Sequence, residues 1–278
     1  MSEFQKVIKY CAMAFAAFLA FSIITGIVTA VFSITGILST TSNRNLIDIN
    51  KSFENVKSLS VDHGIGSLNI MSSSGNNVEV DAKNVSSDFV VEKSFSGELQ
   101  VKSKFNFWNF ISGNNGINDK SKITIYVPEG ISLDRVKLDA GAGNIDIDSL
   151  QTEKLDINAG AGNIEGSRIT ADQVKLDGGV GEINFNEVKF TDSDIDSGVG
   201  NIKLQGALYG RNKIDCGVGE VTLDLNQSSD EFRLSVEKGL GSIYINGEKY
   251  SDLKWNNMTA DNVLDVNGGV GDIDINFQ

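Results

Sequence analysis

The sequence predicts an all-β protein: a parallel β-solenoid of two-strand coils, each about 19 residues long, preceded by one transmembrane α-helix. Three observations predict it. The phrase "LDAGAGNIDID" (138–148) returns as "INAGAGNIEG", "LDGGVGEINF", "IDSGVGNIKL" and "IDCGVGEVTL". Four consecutive steps between the first glycines of these Gly-x-Gly pairs, from Gly141 to Gly217, are all 19 residues. Residues 11–38 hold no charged side chain over 28 positions.

The charge-free run is the first element. About 20 apolar residues cross a bilayer, so this run crosses with tilt or an overhang at the interface. A cleaved signal peptide has a shorter apolar core, roughly 7–15 residues, followed by a small-x-small cleavage site. "IKYC" before Cys11 also lacks the small residues of a lipoprotein cleavage box. Lys6 and Lys9 favour a cytoplasmic N-terminus. The expected organisation is a cytoplasmic tail over 1–10, an uncleaved signal anchor over 11–38 and a polar linker over 39–57. An extracytoplasmic solenoid follows over 58–278.

In that solenoid the first glycine falls at 64, 141, 160, 179, 198, 217, 239 and 269. Three residues earlier the chain always carries Val, Leu or Ile; four residues later it carries Leu, Ile or Val. Six later the residue is again apolar, except at Gly166. Alternating apolar positions mark half-buried strands. The alternation changes parity across each Gly-x-Gly, which predicts a turn there. Gly141, Gly143, Gly160, Gly162, Gly179, Gly181, Gly198, Gly200, Gly217 and Gly219 are therefore read as corner glycines. Nineteen residues are too few for strand, crossover helix and strand, but suit one coil whose strands pair in parallel with the next. Residues 71–134 interrupt the period: "NVEVDAKN", "ELQVKSKF" and "KITIYVP" read as antiparallel-capable strands covering an open end or side.

Other readings of the repeat fail. No helix-forming run follows any Gly-x-Gly, whereas a pyrophosphate loop needs a helix N-terminus there. The calcium nonapeptide G-G-x-G-x-D needs an aspartate where this chain has Ile183 or Ile273. Cys11 and Cys216 make no redox or metal spacing. Neither a cofactor nor a metal is expected.

The charge balance is acidic, 24 Lys and Arg against 37 Asp and Glu. Residues 1–50 hold Lys6, Lys9 and Arg44 against Glu3 and Asp48, so the remainder carries 21 cations against 35 carboxylates. Such a body repels nucleic acid and attracts cations or cationic peptides. Two residues before the glycine stand Asp177, Asp196, Asp215 and Glu237, an acidic ridge and the candidate contact for a cation or basic peptide. Four before it, Lys137, Asp156, Lys175, Asp194 and Lys213 alternate in sign, which predicts opposite charges paired between neighbouring coils. His63, the only histidine, is read as a packing residue with no nucleophile assigned to it. Tyr250 and Trp255 lie in the longest late insertion and are expected to pack back onto the body.

The passage "KITIYVPEGISLDRVKLDAGAGNIDI" resembles a bacterial family labelled as candidate adhesins and classed as a domain of unknown function. Its hallmarks are a strand ending in Val-Pro-x-Gly, here Val127–Gly130, and repeated Gly-x-Gly-x-Ile rungs, here seven from Gly141. The resemblance covers roughly residues 55–278. It implies a membrane-anchored surface protein, like members that accompany Lia-type cell-envelope stress systems of Gram-positive bacteria, and it supplies no catalytic residues. The expected function is a cell-envelope scaffold or interaction module whose partner is an envelope protein, a cationic peptide or a cell-wall component. A carbohydrate-active β-helix enzyme is the alternative. Such enzymes have wider, three-sheet coils and long loops forming a cleft.

Overall fold

The computed structural model describes residues 46–102, 121–254 and 259–278. The expected tail and anchor over 1–38 lie outside these, as do Trp255 and part of the interrupting segment. Among the described residues no helix is long and apolar enough to cross a membrane.

The described chain is all-β apart from one 3-10 turn at Ser229–Glu231. In order the strands are β1 (Leu46–Phe53), β2 (Ser58–Ile65), β3 (Ser67–Ser73), β4 (Val78–Ser86), β5 (Val90–Lys93) and β6 (Glu98–Lys102). Next come β7 (Lys122–Pro128), β8 (Ser132–Ala142), β9 (Ile145–Ala161), β10 (Ile164–Val180), β11 (Ile183–Val199) and β12 (Ile202–Val218). The last six are β13 (Val221–Leu225), β14 (Phe232–Leu240), β15 (Ile243–Ile245), β16 (Glu248–Tyr250), β17 (Asn262–Val270) and β18 (Ile273–Phe277). β8 to β12 pair in parallel, Ile145 with Ile164, Ile183 and Ile202 in turn. This regular parallel register is consistent with a solenoid. Hydrogen bonds continue through the corners, as from Gly162 N to Val180 O at 2.9 Å.

The coils of β9 to β12 each have three buried runs rather than the expected two strands. In β9, Ile145 and Ile147 are buried, then Leu150 and Thr152, then Leu155, Ile157 and Ala159. Two consecutive residues point outward at 148–149 and again at 153–154. The first break is made by non-glycine residues at positive φ: Ser149 (69°), Arg168 (53°) and Glu187 (54°). That conformation costs roughly 1–2 kcal/mol for an ordinary side chain, and burial on both sides offsets it. The middle run escapes sequence reading because its residues vary, from Leu150 and Thr152 to Gly206 and Leu208, though all four are buried. A fully buried Ile or Leu such as Ile157 or Leu204 stabilises by about 1.5–3 kcal/mol. The core is therefore the column of these residues along the stack.

The coils do not stack in chain order. β2 and β3 pair on one side with β8 and β9, and on the other with β6 and β7, all in parallel. The first coil is thus enclosed by segments that follow it. At the far end β17 lies between β12 and β14, and β18 lies between β13 and β15. The final coil is threaded into the stack rather than added to its end.

Two expectations change accordingly. "ELQVKSKF" and "KITIYVP" supply β6 and β7, which extend the parallel stack as well as pairing antiparallel with β5 and β4. The expected linker is structured from Leu46, because β1 pairs antiparallel with β4. As an edge strand, largely exposed on both faces, it has no apolar alternation to announce it. These antiparallel strands cover the outer edge of β6 and β7.

Candidate functional site: the glycine corner

The Gly-x-Gly corners superpose coil on coil; both glycines are needed because a neighbouring coil's backbone leaves no room for a Cβ, and the second also for its backbone angle. Gly200 has φ +138°, a conformation that L side chains rarely adopt. At Gly198 the obstacle is space: an added Cβ would lie 2.6 Å from the carbonyl oxygen of Gly179. A floor without side chains results. Along it runs a groove of about 590 Å³, bordered by Asp62, Asp139, Asn158, Asp177 and Asp196.

Two members of the acidic ridge, Asp177 and Asp196, line the groove. Asp177 is in register with Asp196, and Asp196 with Asp215. Glu237 does not follow Asp215. Asn267 stands between them, in register with both, because β17 is threaded there. Asn267 donates to Asp215 Oδ1 at 2.8 Å, and Asn158 donates to Asp139 Oδ1 at 2.8 Å. Amides thus border the Asp177–Asp196–Asp215 triplet on both sides.

The lysines act differently from expectation. Each reaches two residues along its own strand: Lys137 to Asp139 at 2.7 Å, Lys175 to Asp177 at 2.8 Å, and Lys213 to Asp215. The sign alternation does continue between coils, and Asp265 extends it beyond Lys213. Asp196 has no lysine in its own coil, where Asp194 takes that place. Burial, then Asp194 and Asp215, push its carboxyl above the ordinary aspartate value. For Asp215 burial works in the same direction, but hydrogen bonds from Lys213 and Asn267 outweigh it and hold the carboxyl below its usual value.

Next along the chain from the first glycine stands the middle residue of Gly-x-Gly, apolar in all eight coils. That constancy was the sequence signal for a surface column, and reading the triplet only as a corner missed it. Val180, Val199, Val218, Val270 and Leu240 are successive neighbours. The last three are 37%, 38% and 40% exposed, large values for aliphatic side chains in a packed stack. Two residues further along stand Glu182, Asn201, Glu220 and Asp272, all exposed. Asn201 Oδ1 accepts the Glu220 N–H at 2.9 Å, tying neighbouring coils together.

His63 lies buried at one end of the groove, its Nε2 3.3 Å from Ser121 Oγ. The serine, 58 residues away, carried no sequence signal. Ser121 Oγ donates to Ile65 O at 2.6 Å, so Nε2–H is the donor to the serine and not a base toward it. Nδ1 is buried without a hydrogen-bond partner, and burial lowers the imidazole to a pKa of about 4. Burial also raises the Cys216 thiol. Among the described residues no group of three or more His, Cys, Asp or Glu side chains is arranged to hold a metal ion.

The geometry defines an all-β repeat domain whose equivalent outward residues form continuous ladders along a parallel stack. The sequence profile of the Toastrack DUF4097 family matches residues 56–208, more than half of the chain, and the protein belongs to that family. Three solved structures are similar. A candidate cell adhesion protein from Clostridium sporogenes is 20% identical, with 84% of this chain and 100% of that chain covered and a TM-score of 0.45. A candidate adhesin from Bacteroides fragilis is 17% identical, with 84% and 98% covered and a TM-score of 0.41. One from Parabacteroides merdae is 14% identical, with 84% and 97% covered and a TM-score of 0.41. No curated protein matches the chain.

Proposed function

We propose that this chain is a membrane-anchored, extracytoplasmic scaffold or interaction module of the cell envelope, held by residues 11–38 and presenting its ladders to a partner. The observation that carries the reading is the repetition of outward chemistry along the stack. Asp177, Asp196 and Asp215 recur in register, as do Val180, Val199 and Val218. Such a surface offers one kind of contact many times. The partner is an envelope protein, a cationic peptide or a cell-wall component, and not nucleic acid.

We read the domain as non-catalytic. Coils with three runs are shared with carbohydrate-active β-helices, so coil width does not separate the two readings. What favours a scaffold is that β9 to β12 follow one another through corners of two residues, leaving no loops there to wall a cleft. His63, with its N–H on Ser121, is not set to activate a nucleophile.

Protease added to intact cells tests the topology. The solenoid should be degraded while the first ten residues stay protected. Protection of the solenoid would sink the topology, and release of an intact soluble domain would mean that the N-terminal segment is cleaved.

A further inference from the structure

We infer that the corner ladder Val180–Val199–Val218–Val270–Leu240 is a docking surface for a basic amphipathic helix of a partner. The inference deepens the reading of this domain as an interaction module and does not depend on the anchor. Five aliphatic side chains stand one per coil, about 4.8 Å apart, so the ladder is about 19 Å long. One helical turn rises 5.4 Å, and about 13 residues of helix span that length. A helix therefore brings an apolar side chain to each rung in near register, whereas same-face residues of an extended strand are spaced about 6.6 Å apart.

The charges choose the occupant. On one side of the ladder run Asp177, Asp196 and Asp215; on the other stand Glu182, Glu220 and Asp272. Lys175 and Lys213 partly cover Asp177 and Asp215, but Asp196 lacks a lysine in its own coil. Glu182 and Glu220 are exposed. An apolar stripe bordered on both sides by Lys or Arg meets all three features. A second copy of this corner would set acid against acid. The charge-free run 11–38 of this chain would leave the carboxylates unpaired. An exposed apolar strip with a charged rim is what a partner's face requires.

The test uses the full chain in nanodiscs of zwitterionic lipid, with empty nanodiscs as blank. The probe is a fluorescent 14-residue Leu/Lys peptide with one apolar stripe, its binding followed by anisotropy. Two further peptides are compared, one with the same composition but no stripe, the other with Glu for Lys. The striped basic peptide should bind best. Val218→Thr with Val270→Thr keeps the β-branched shape and should weaken binding about tenfold or more, the equivalent of roughly 1.4 kcal/mol. Asp196→Asn with Glu220→Gln should weaken it and flatten its salt dependence. Removing two distant carboxylates, Glu79→Gln with Asp224→Asn, should change little. Thermal unfolding of each variant verifies the fold. Undiminished binding to the threonine variant overturns the proposal, as does equal binding of the stripeless peptide. Equal losses from near and distant neutralisations would reduce the effect to net charge. Sedimentation as a dimer that the threonine variant abolishes would assign the ladder to a second copy, and also overturns it.

Discussion

Phe185 fills the space that Gly166 leaves. The two are in register on neighbouring coils, and a Cβ built on Gly166 would overlap the Phe185 ring and lie 2.7 Å from Ile169 Cδ1. Phe190 packs edge-on against that ring at 5.5 Å between centroids. The one break in the apolar column six residues after the glycine is thus a small residue matched to a large one.

Gly166→Ala should therefore destabilise, by about 1–3 kcal/mol, as expected for overpacking in a filled core. Adding Phe185→Leu should recover part of the loss. Urea unfolding of the two variants checks this, and a neutral Gly166→Ala would mean that the ring has room to move.

The same pairing makes coil deletions informative. Removing residues 160–178 takes out Gly166 but not Phe185, and sets Ile147 against that ring and Asp156 against Asp194. Removing 160–197 takes out both members and restores Asp156 beside Lys213. The 38-residue deletion should lower Tm less than the 19-residue one, because nearest-neighbour contacts dominate repeat proteins. A larger drop for the longer deletion would refute this matching of neighbours.

Much of this was legible in the sequence. The 19-residue step, the corners, the parallel register and the inward Ile157 and Ile164 columns follow from spacing alone. The order of the coils does not. Asp215 can meet Asn267 or Glu237 equally well, because every coil carries the same columns and nothing local says which one is next. The ridge as a contiguous run through Glu237 failed for that reason. His63 and Ser121 likewise meet only because β7 closes over the first coil.

Buried His63 predicts a specific acid sensitivity. Its folded pKa of about 4 lies below the unfolded value of 6.5, so the unfolded chain binds more protons between them. Its stabilisation is complete above pH 6.5 and is lost as pH falls toward 4, by about 3 kcal/mol in all. His63→Gln should be less stable at pH 7 but show a shallower decline between pH 6.5 and 4 by urea unfolding. Parallel declines would mean that the imidazole is solvated.

Asp196 predicts the opposite sign. Its pKa is raised on folding, so the native chain binds more protons and stability falls as pH rises through that value. Asp196→Asn should stabilise at pH 7, by about 0.5 kcal/mol for relief of like charges directly opposite. The gain should vanish in acid, where Asp196 is protonated. Thermal unfolding at both pH values decides it, and a loss of stability at pH 7 would contradict the repulsion.

The threading of the last coil is the claim on which the ridge, the ladder and its docking surface depend, and disulfide trapping tests it directly. Parallel neighbours lie about 4.8 Å apart, within the 4.4–6.8 Å that a disulfide tolerates between Cα atoms; residues two coils apart lie at about 9.6 Å. In a chain with Cys11 and Cys216 changed to Ser, Asp215→Cys with Asn267→Cys should form an intramolecular disulfide on mild oxidation. Asp215→Cys with Glu237→Cys should stay reduced. Cross-linking of 215 to 237 with 215 and 267 unlinked would show the coils stacked in chain order, and would contradict the account.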